Sequence, residues 1–470
     1  MSTESTSHAA AIRGLLLRLH FYAGVLIAPF LLLTAVTGLL YAASFQIEDF
    51  LYEDYRTVEE DGERLRLSEQ VRAAAEAHPD RTVTAVRPAA EPDAATGVVM
   101  DDGVEREAGT EPIVFVDPHT GAVTGDLTTY GSSQALPVRA WASGLHRHLH
   151  LGEPGRVYSE LAASWLWVVV LGGIVLWAGR RRRPARLLWP RRAGGRSGTL
   201  AWHGPVGLWL AAVLLFLSAT GLTWSRFAGD HIAELRAQLD WQTPTLSSVE
   251  EDTDHAAGAI RHRDMSGDIA VLDEVADAAR GAGLEDPLEL TLPVGGAFTV
   301  AETSRSHPVG QDRVLVRVDA GGASVTEELR FEDWPFMARA TNVLIAAHMG
   351  LLFGLPNQLV LAAAMIALIA LIGWGYRMWW QRRPRHAVVG RPYPRGGLRR
   401  LPWPPVAFAA PVVAAVGWFV PLLGASLVGF LILDVLIGLR RRRRPGPQQA
   451  EPSEGDARRA ASGLVKAPPT

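Results

Sequence analysis

Four histidines recur in matched surroundings along this 470-residue chain. His20 and His203 each lead an apolar run, with a glycine four residues on (Gly24, Gly207) and a Thr-Gly pair near its end (Thr37-Gly38, Thr220-Gly221). All of these points share an offset of 183 residues. His146, Gly152 and Pro154 return as His348, Gly354 and Pro356 at an offset of 202, which also carries Val114-Phe115-Val116-Asp117 onto Val316-Arg317-Val318-Asp319. Neutral imidazole is a nitrogen donor to iron, and two of them facing each other inside a helix bundle are what a b-type haem needs for axial ligation. Cysteine is absent, which excludes disulfides, thiolate zinc sites, iron-sulfur clusters and covalently attached haem. His150 lies four residues beyond His146, so on a continuous helix the two share one face and either could be the ligand. His148 and His150 have no counterpart in the second half.

The elements that must carry these residues are membrane helices. Leu19 to Tyr41 holds no charge and is long enough to cross the hydrocarbon, and Trp202 to Trp224 is a second version of it. Spans are expected at 19–44, 140–179, 201–225 and 340–380, the second and fourth with a histidine-bearing lead-in. The apolar block 402–439, broken near Pro421, is long enough for a hairpin and brings the total to six. The 180–200 and 381–401 loops are rich in arginine and belong in the cytoplasm, as do residues 1–18 and the Pro/Gly/Ser-rich tail 440–470, which reads as disordered. The chain is therefore expected to be a multi-pass protein of the cytoplasmic (inner) membrane with both termini inside. Two halves of equal orientation imply a pseudo-two-fold axis along the membrane normal. That axis pairs His20 with His203 near the cytoplasmic face and His146 with His348 near the outer face.

Two acidic insertions, 45–139 and 226–339, fall outside. The first predicts a helix over Ser68 to His78, with Ser68 as N-cap, and strands at Thr82 to Val86, Gly97 to Met100 and Ile113 to Val116. The last runs into the turn Asp117-Pro118-His119-Thr120-Gly121. The second predicts a helix over Ile269 to Ala279 and strands at Leu288 to Leu292, Ala297 to Ala301 and Val314 to Val318. Each is a small α+β module. The fold class is thus an internally duplicated six-helix membrane bundle with two extracytoplasmic α+β modules.

Other features are less informative. Gly24, Gly38, Gly207 and Gly221 serve either close helix packing or clearance for a porphyrin face. Arginine runs are topology determinants, and the acidic outer surface is either a solvated face or an attractor for a ferric complex. There is no Rossmann, flavin or P-loop motif, so a nicotinamide or flavin donor would have to come from a partner. Nothing points to nucleic acid.

The stretches LRLHFYAGVLIAPFLLLTAVTGLLY, LHRHLHLGEPGR, WHGPVGLWLAAVLLFLSATGL and AAHMGLLFGLPNQL resemble the signature helices of the PepSY-associated transmembrane family, over about residues 15 to 385. The insertion carrying VFVDPHTGAV is similar to a PepSY module. The second departs from the pattern, with Ala320-Gly321-Gly322 in place of the Pro-x-Thr-Gly turn. Some members are iron-regulated membrane proteins and ferric-siderophore reductases with two b haems. The resemblance implies His20, His146, His203 and His348 as haem-iron ligands, two haem b groups, a quinol or cytoplasmic reductase as donor and an extracytoplasmic ferric chelate as acceptor. It also keeps open a non-enzymatic sensor or peptidase regulator. A permease using the histidines as transient metal ligands is a third reading.

Overall fold

A computed structural model of the chain describes residues 2–179, 188–191, 193–247, 266–293, 296–303, 308–383 and 403–442. The arginine runs 180–183 and 443–444, most of the 381–401 loop and the tail lie outside them.

Helices α1 (Ser2–Leu26) and α2 (Ala28–Leu51) form one path interrupted at Ile27. The cause is Pro29, which has no N–H to donate and whose ring crowds the carbonyl four residues back. That carbonyl, Val25 O, instead accepts a hydrogen bond from Tyr376 Oη at 3.0 Å. In a medium without water this repair is what makes the break tolerable. The opening span is therefore interrupted near its midpoint, and α2 runs past the expected boundary at residue 44.

A short turn, α3 (Glu53–Arg56), leads to α4 (Leu67–Ala77) and strands β1 (Thr82–Arg87), β2 (Thr96–Asp101), β3 (Thr110–Val116) and β4 (Val123–Tyr130). Helices α5 (Pro137–His148) and α6 (Glu153–Ala178) return the chain to the bundle, and α7 (Gly195–Leu222) leaves it again. After α8 (Phe227–Gln238), α9 (Ser266–Ala270) and α10 (Leu272–Gly281) come β5 (Leu288–Thr291), β6 (Ala297–Glu302), β7 (Arg313–Asp319) and β8 (Gly322–Leu329). Helices α11 (Phe336–Met349), α12 (Leu355–Trp380), α13 (Trp403–Phe419) and α14 (Pro421–Arg442) complete the described chain.

Four helices, α2, α6, α7 and α12, are long and apolar enough to cross a membrane, while α13 and α14 contain shorter apolar stretches. Helix α6 packs along α7, and α12 packs along α2, so each half closes on the other. Trp165 Nε1 donates to Ser426 Oγ at 2.8 Å, docking α14 onto α6.

The two insertions do not form separate modules. Their strands make one antiparallel sheet in the order β4-β3-β2-β1-β5-β6-β7-β8, two meanders joined edge to edge where Ala85 pairs with Thr291 and Val86 with Leu290. Arg87 Nε bridges the same seam to Glu289 Oε2 at 2.6 Å. One apolar core under α4, α9 and α10 draws residues from both halves, including Val71, Val98, Leu272 and Val300. Strands β4 and β8 escaped the sequence reading because their apolar residues are too few for a period-two signal: β4 has only Val123, Leu127 and Tyr130, and β8 is interrupted by Glu327 and Glu328.

Ser68 is not the N-cap of its helix. It lies in the first turn, and Asp273 of α10 does the capping from the other half. Asp273 Oδ1 accepts from Leu67 N at 2.7 Å, and Oδ2 accepts from Ser68 N at 3.2 Å and Ser68 Oγ at 2.7 Å. A carboxylate at a helix N-terminus satisfies orphan amides and matches the helix dipole. Between sheet and bundle, the buried pair Glu48–Arg139 joins α2 to α5, with N···O distances of 3.0 Å and Leu136 N donating to Glu48 Oε2 at 2.8 Å. Removing one partner alone leaves a buried unpaired charge and costs about 3–5 kcal/mol.

Candidate functional site

Among the described residues, two cavities open in the bundle. One, on the side away from the sheet, is about 260 Å³ and is lined by His20, Gly24, Gly173, His203, Gly207 and Gly375 among others. The other, beneath the sheet, is about 510 Å³ and is lined by Thr34, Gly38, His146, Gly221, His348 and Met365, with Tyr130, Arg147 and Arg156 toward its rim. Pockets for cofactors are commonly about 300–1,000 Å³, so the sheet-side cavity lies within that range and the far one just below it. The four repeat-matched histidines are thus brought together in the expected pairs, one pair to each cavity.

The rings of His20 and His203 have centroids 6.3 Å apart at an interplanar angle of 77°. Nδ1 of His20 is 3.0 Å from Val169 O, and Nδ1 of His203 is 3.2 Å from Leu371 O. A carbonyl oxygen only accepts, so in the neutral rings each Nδ1 carries the proton and each Nε2 is the acceptor nitrogen. The sheet-side pair reaches the same tautomer by another route. Nδ1 of His146 lies 3.1 Å from Thr37 Oγ1, and Nδ1 of His348 lies 2.6 Å from Thr220 Oγ1. Those hydroxyls donate to the carbonyls four residues back, Leu33 O at 2.9 Å and Phe216 O at 2.8 Å. Their oxygens therefore accept from the imidazoles. All four side chains are held in the form that a metal ligand requires, with the second nitrogen tied down by a hydrogen bond.

The helix that brings His146 into place is short. It ends at His148, and Leu149 and His150 adopt left-handed conformations, with φ of 54° and 53°. Gly152 follows at φ 61°, ψ −131°, and Pro154 opens α6. The same device recurs at Gly350 (φ 80°) and Gly354 (φ 57°, ψ −132°) ahead of Pro356. Only glycine adopts the conformation of Gly152 and Gly354 without strain, and proline suits a first helical turn. The chain reverses sharply, and the preceding histidine is directed into the bundle.

This turn corrects the expectation for His150. It is not on the helix of His146 and does not share its face. Its Nε2 faces Trp141 O at 3.0 Å, and its ring stacks on Trp141 at 5.4 Å, outside the lining of the sheet-side cavity. His148 is turned toward Glu107, with Nε2 3.4 Å from Oε1.

The glycines divide by role. A Cβ on Gly38 would lie 3.1 Å from His146 Cε1, and one on Gly173 3.3 Å from His20 Cε1, so these two admit the imidazole rings. A Cβ on Gly24 would meet nothing within 4 Å although Gly24 lines the far cavity, so that glycine leaves space open.

Two imidazoles on opposite faces of one iron, each bonded at about 2 Å, place their ring centres about 6 Å apart. The spacing of His20 and His203 fits that arrangement, as do the tautomers of all four rings and the open space at Gly24. Among the described residues there is no group of three or more His, Asp or Glu side chains suited to a bare metal ion.

Sequence reading missed the partners of these histidines. The Thr-Gly pairs were visible as a repeat, but that their hydroxyls meet His146 and His348 depends on α2 facing α5 and α7 facing α11. Val169 and Leu371 contribute only backbone and leave no signal in residue type, although they too are separated by 202 residues.

Spanning-length apolar helices crowned by one antiparallel sheet define a multi-pass membrane protein with a folded domain beyond the bundle. The family model described as PepSY-associated TM region matches residues 17–382, and the chain belongs to that family. No curated protein matches the chain.

Proposed function

We propose that this protein is an electron-transfer protein of the cytoplasmic membrane. It holds a haem b in each cavity and delivers electrons to an extracytoplasmic ferric chelate of siderophore type. The observation that carries the reading is the pair His20 and His203, 6.3 Å apart with both Nδ1 atoms committed to backbone carbonyls. In this reading the bundle is an internal duplication with six spans, both termini are cytoplasmic, and the sheet lies outside.

When bound, haem supplies a reversible one-electron iron couple. The chain's own groups do the rest. His20 and His203 hold the inner cofactor, and His146 and His348 hold the outer one. Their Nδ1 partners fix ring orientation and raise ligand basicity. Apolar walls exclude water, and Arg147, paired with Glu107, and Arg156, paired with Glu153, stand at the rim of the sheet-side cavity. An acceptor expected between the two insertions is in this reading taken up at that rim, because β1 and β5 pair where the insertions meet. Reduction favours iron release because hard oxygen ligands hold Fe(II) more weakly than Fe(III). The electron donor is quinol or a cytoplasmic reductase.

The reading is tested by the visible spectrum of the purified protein, reduced minus oxidised, after haem-replete expression. Split α and β bands and two haems per chain are expected. His20→Ala and His348→Ala should each lose one haem and keep the other. A colourless protein, or full retention by both variants, would favour a PepSY sensor, a peptidase regulator or a metal permease.

A further inference from the structure

The two cavities share a wall. Leu31 of α2, Leu166 of α6, Leu214 of α7 and Leu368 of α12 each line both the far cavity and the sheet-side cavity. One leucine comes from each spanning-length helix, and all four belong to one apolar cluster with exposures of 5, 8, 3 and 7%. They are repeat-matched: Leu31 and Leu214 share the offset of His20 and His203, and Leu166 and Leu368 that of His146 and His348. These four are the residues common to the two linings, two from each half of the chain.

We infer that these four leucines form a dry partition between the two cofactor sites, passing electrons while blocking water and protons. This rests on the proposed electron-transfer role. A one-electron exchange across the partition oxidises one site by one electron and reduces the other by one. No bond forms or breaks, and no proton accompanies the charge. Water enters a cavity only where polar partners stabilise it, and the side chains of this layer offer none. The consequence is functional: a bundle with two cavities stacked in series would otherwise be a path for protons through the membrane. The layer also sets the thickness of the gap between the cofactors, since a bulkier or smaller side chain at any of the four points changes both cavities at once.

The partition is tested in proteoliposomes of the full-length haem-loaded protein, with an internal pH-sensitive dye and a potassium diffusion potential. Wild type and the volume-conserving pair Leu31→Met/Leu214→Met should be equally tight. The pair Leu31→Asn/Leu214→Asn should leak protons at least about tenfold faster, because each amide gives water a partner. The pair Leu166→Asn/Leu368→Asn, on the other two helices, should do the same and serves as the test if the first pair does not fold. Either Asn pair, folded by circular dichroism yet as tight as wild type, would overturn the partition. The leak does not depend on colour, so a colourless protein made leaky by the Asn pairs would keep the partition and discard the haem reading.

Discussion

Nδ1 of His348 lies 2.6 Å from Oγ1 of Thr220, and the relationship is repeated by His146 and Thr37 at 3.1 Å. In each case the threonine hydroxyl hands its proton back along its own helix and offers its oxygen to the imidazole. One residue thus both satisfies a helix carbonyl and selects the tautomer of a residue on another helix.

Removing that acceptor without changing side-chain shape isolates its contribution. Thr220→Val and Thr37→Val should weaken haem binding in the sheet-side cavity about 10–100-fold, the usual effect of losing such an outer hydrogen bond, and leave the far cavity unaffected. Haem titration of the apo-protein measures both sites.

Gly24 and Gly38 should respond differently to added bulk. Gly24→Val places its side chain in open cavity space, so folding stability should stay within about 0.5 kcal/mol while the far-cavity haem is lost. Gly38→Ala pushes against His146 Cε1 and should displace the ring, removing the sheet-side haem instead. The pyridine haemochrome assay, with difference spectra to tell the sites apart, reads which haem remains.

The cap supplied by Asp273 makes a prediction about the seam. Asp273→Ala leaves Leu67 N and Ser68 N without their acceptor and should cost about 0.5–2 kcal/mol, the range for loss of a helix cap. Thermal unfolding of the sheet measures it. An unchanged midpoint would mean that the β1–β5 pairing, the Arg87–Glu289 pair and the apolar core hold the halves without the cap.

Asp117 closes the β3–β4 hairpin, accepting from His119 N at 2.8 Å and Thr120 Oγ1 at 2.7 Å. Partial burial pushes its carboxyl upward, but these hydrogen bonds outweigh that and hold it below the ordinary value of 3.8. A lowered folded-state value means the stabilisation is present above the unfolded value and is lost as pH falls through the folded one. Asp117→Ala should therefore be less stable than wild type at pH 7, with the gap closing below about pH 4. Paired melting curves across that interval measure it.

Much of the architecture follows from residue order alone. The length and polarity of the apolar runs dictate membrane helices, and two constant offsets mark matched elements around His20, His203, His146 and His348. Gly152-x-Pro154 and Gly354-x-Pro356 mark the reversals. What the order of residues could not decide is what lies across space. His150 reads as a helix neighbour of His146 until the left-handed turn at Leu149 removes it from that face. Asp273 caps a helix some two hundred residues away, and β1 finds β5 rather than ending a module. The carbonyls of Val169 and Leu371 hold imidazoles, and four leucines on four helices line both cavities. Each of these depends on backbone groups, or on side chains with no chemical signature of their own. Only the packing of helix on helix, with every buried polar group seeking a partner in a waterless interior, assigns them a role.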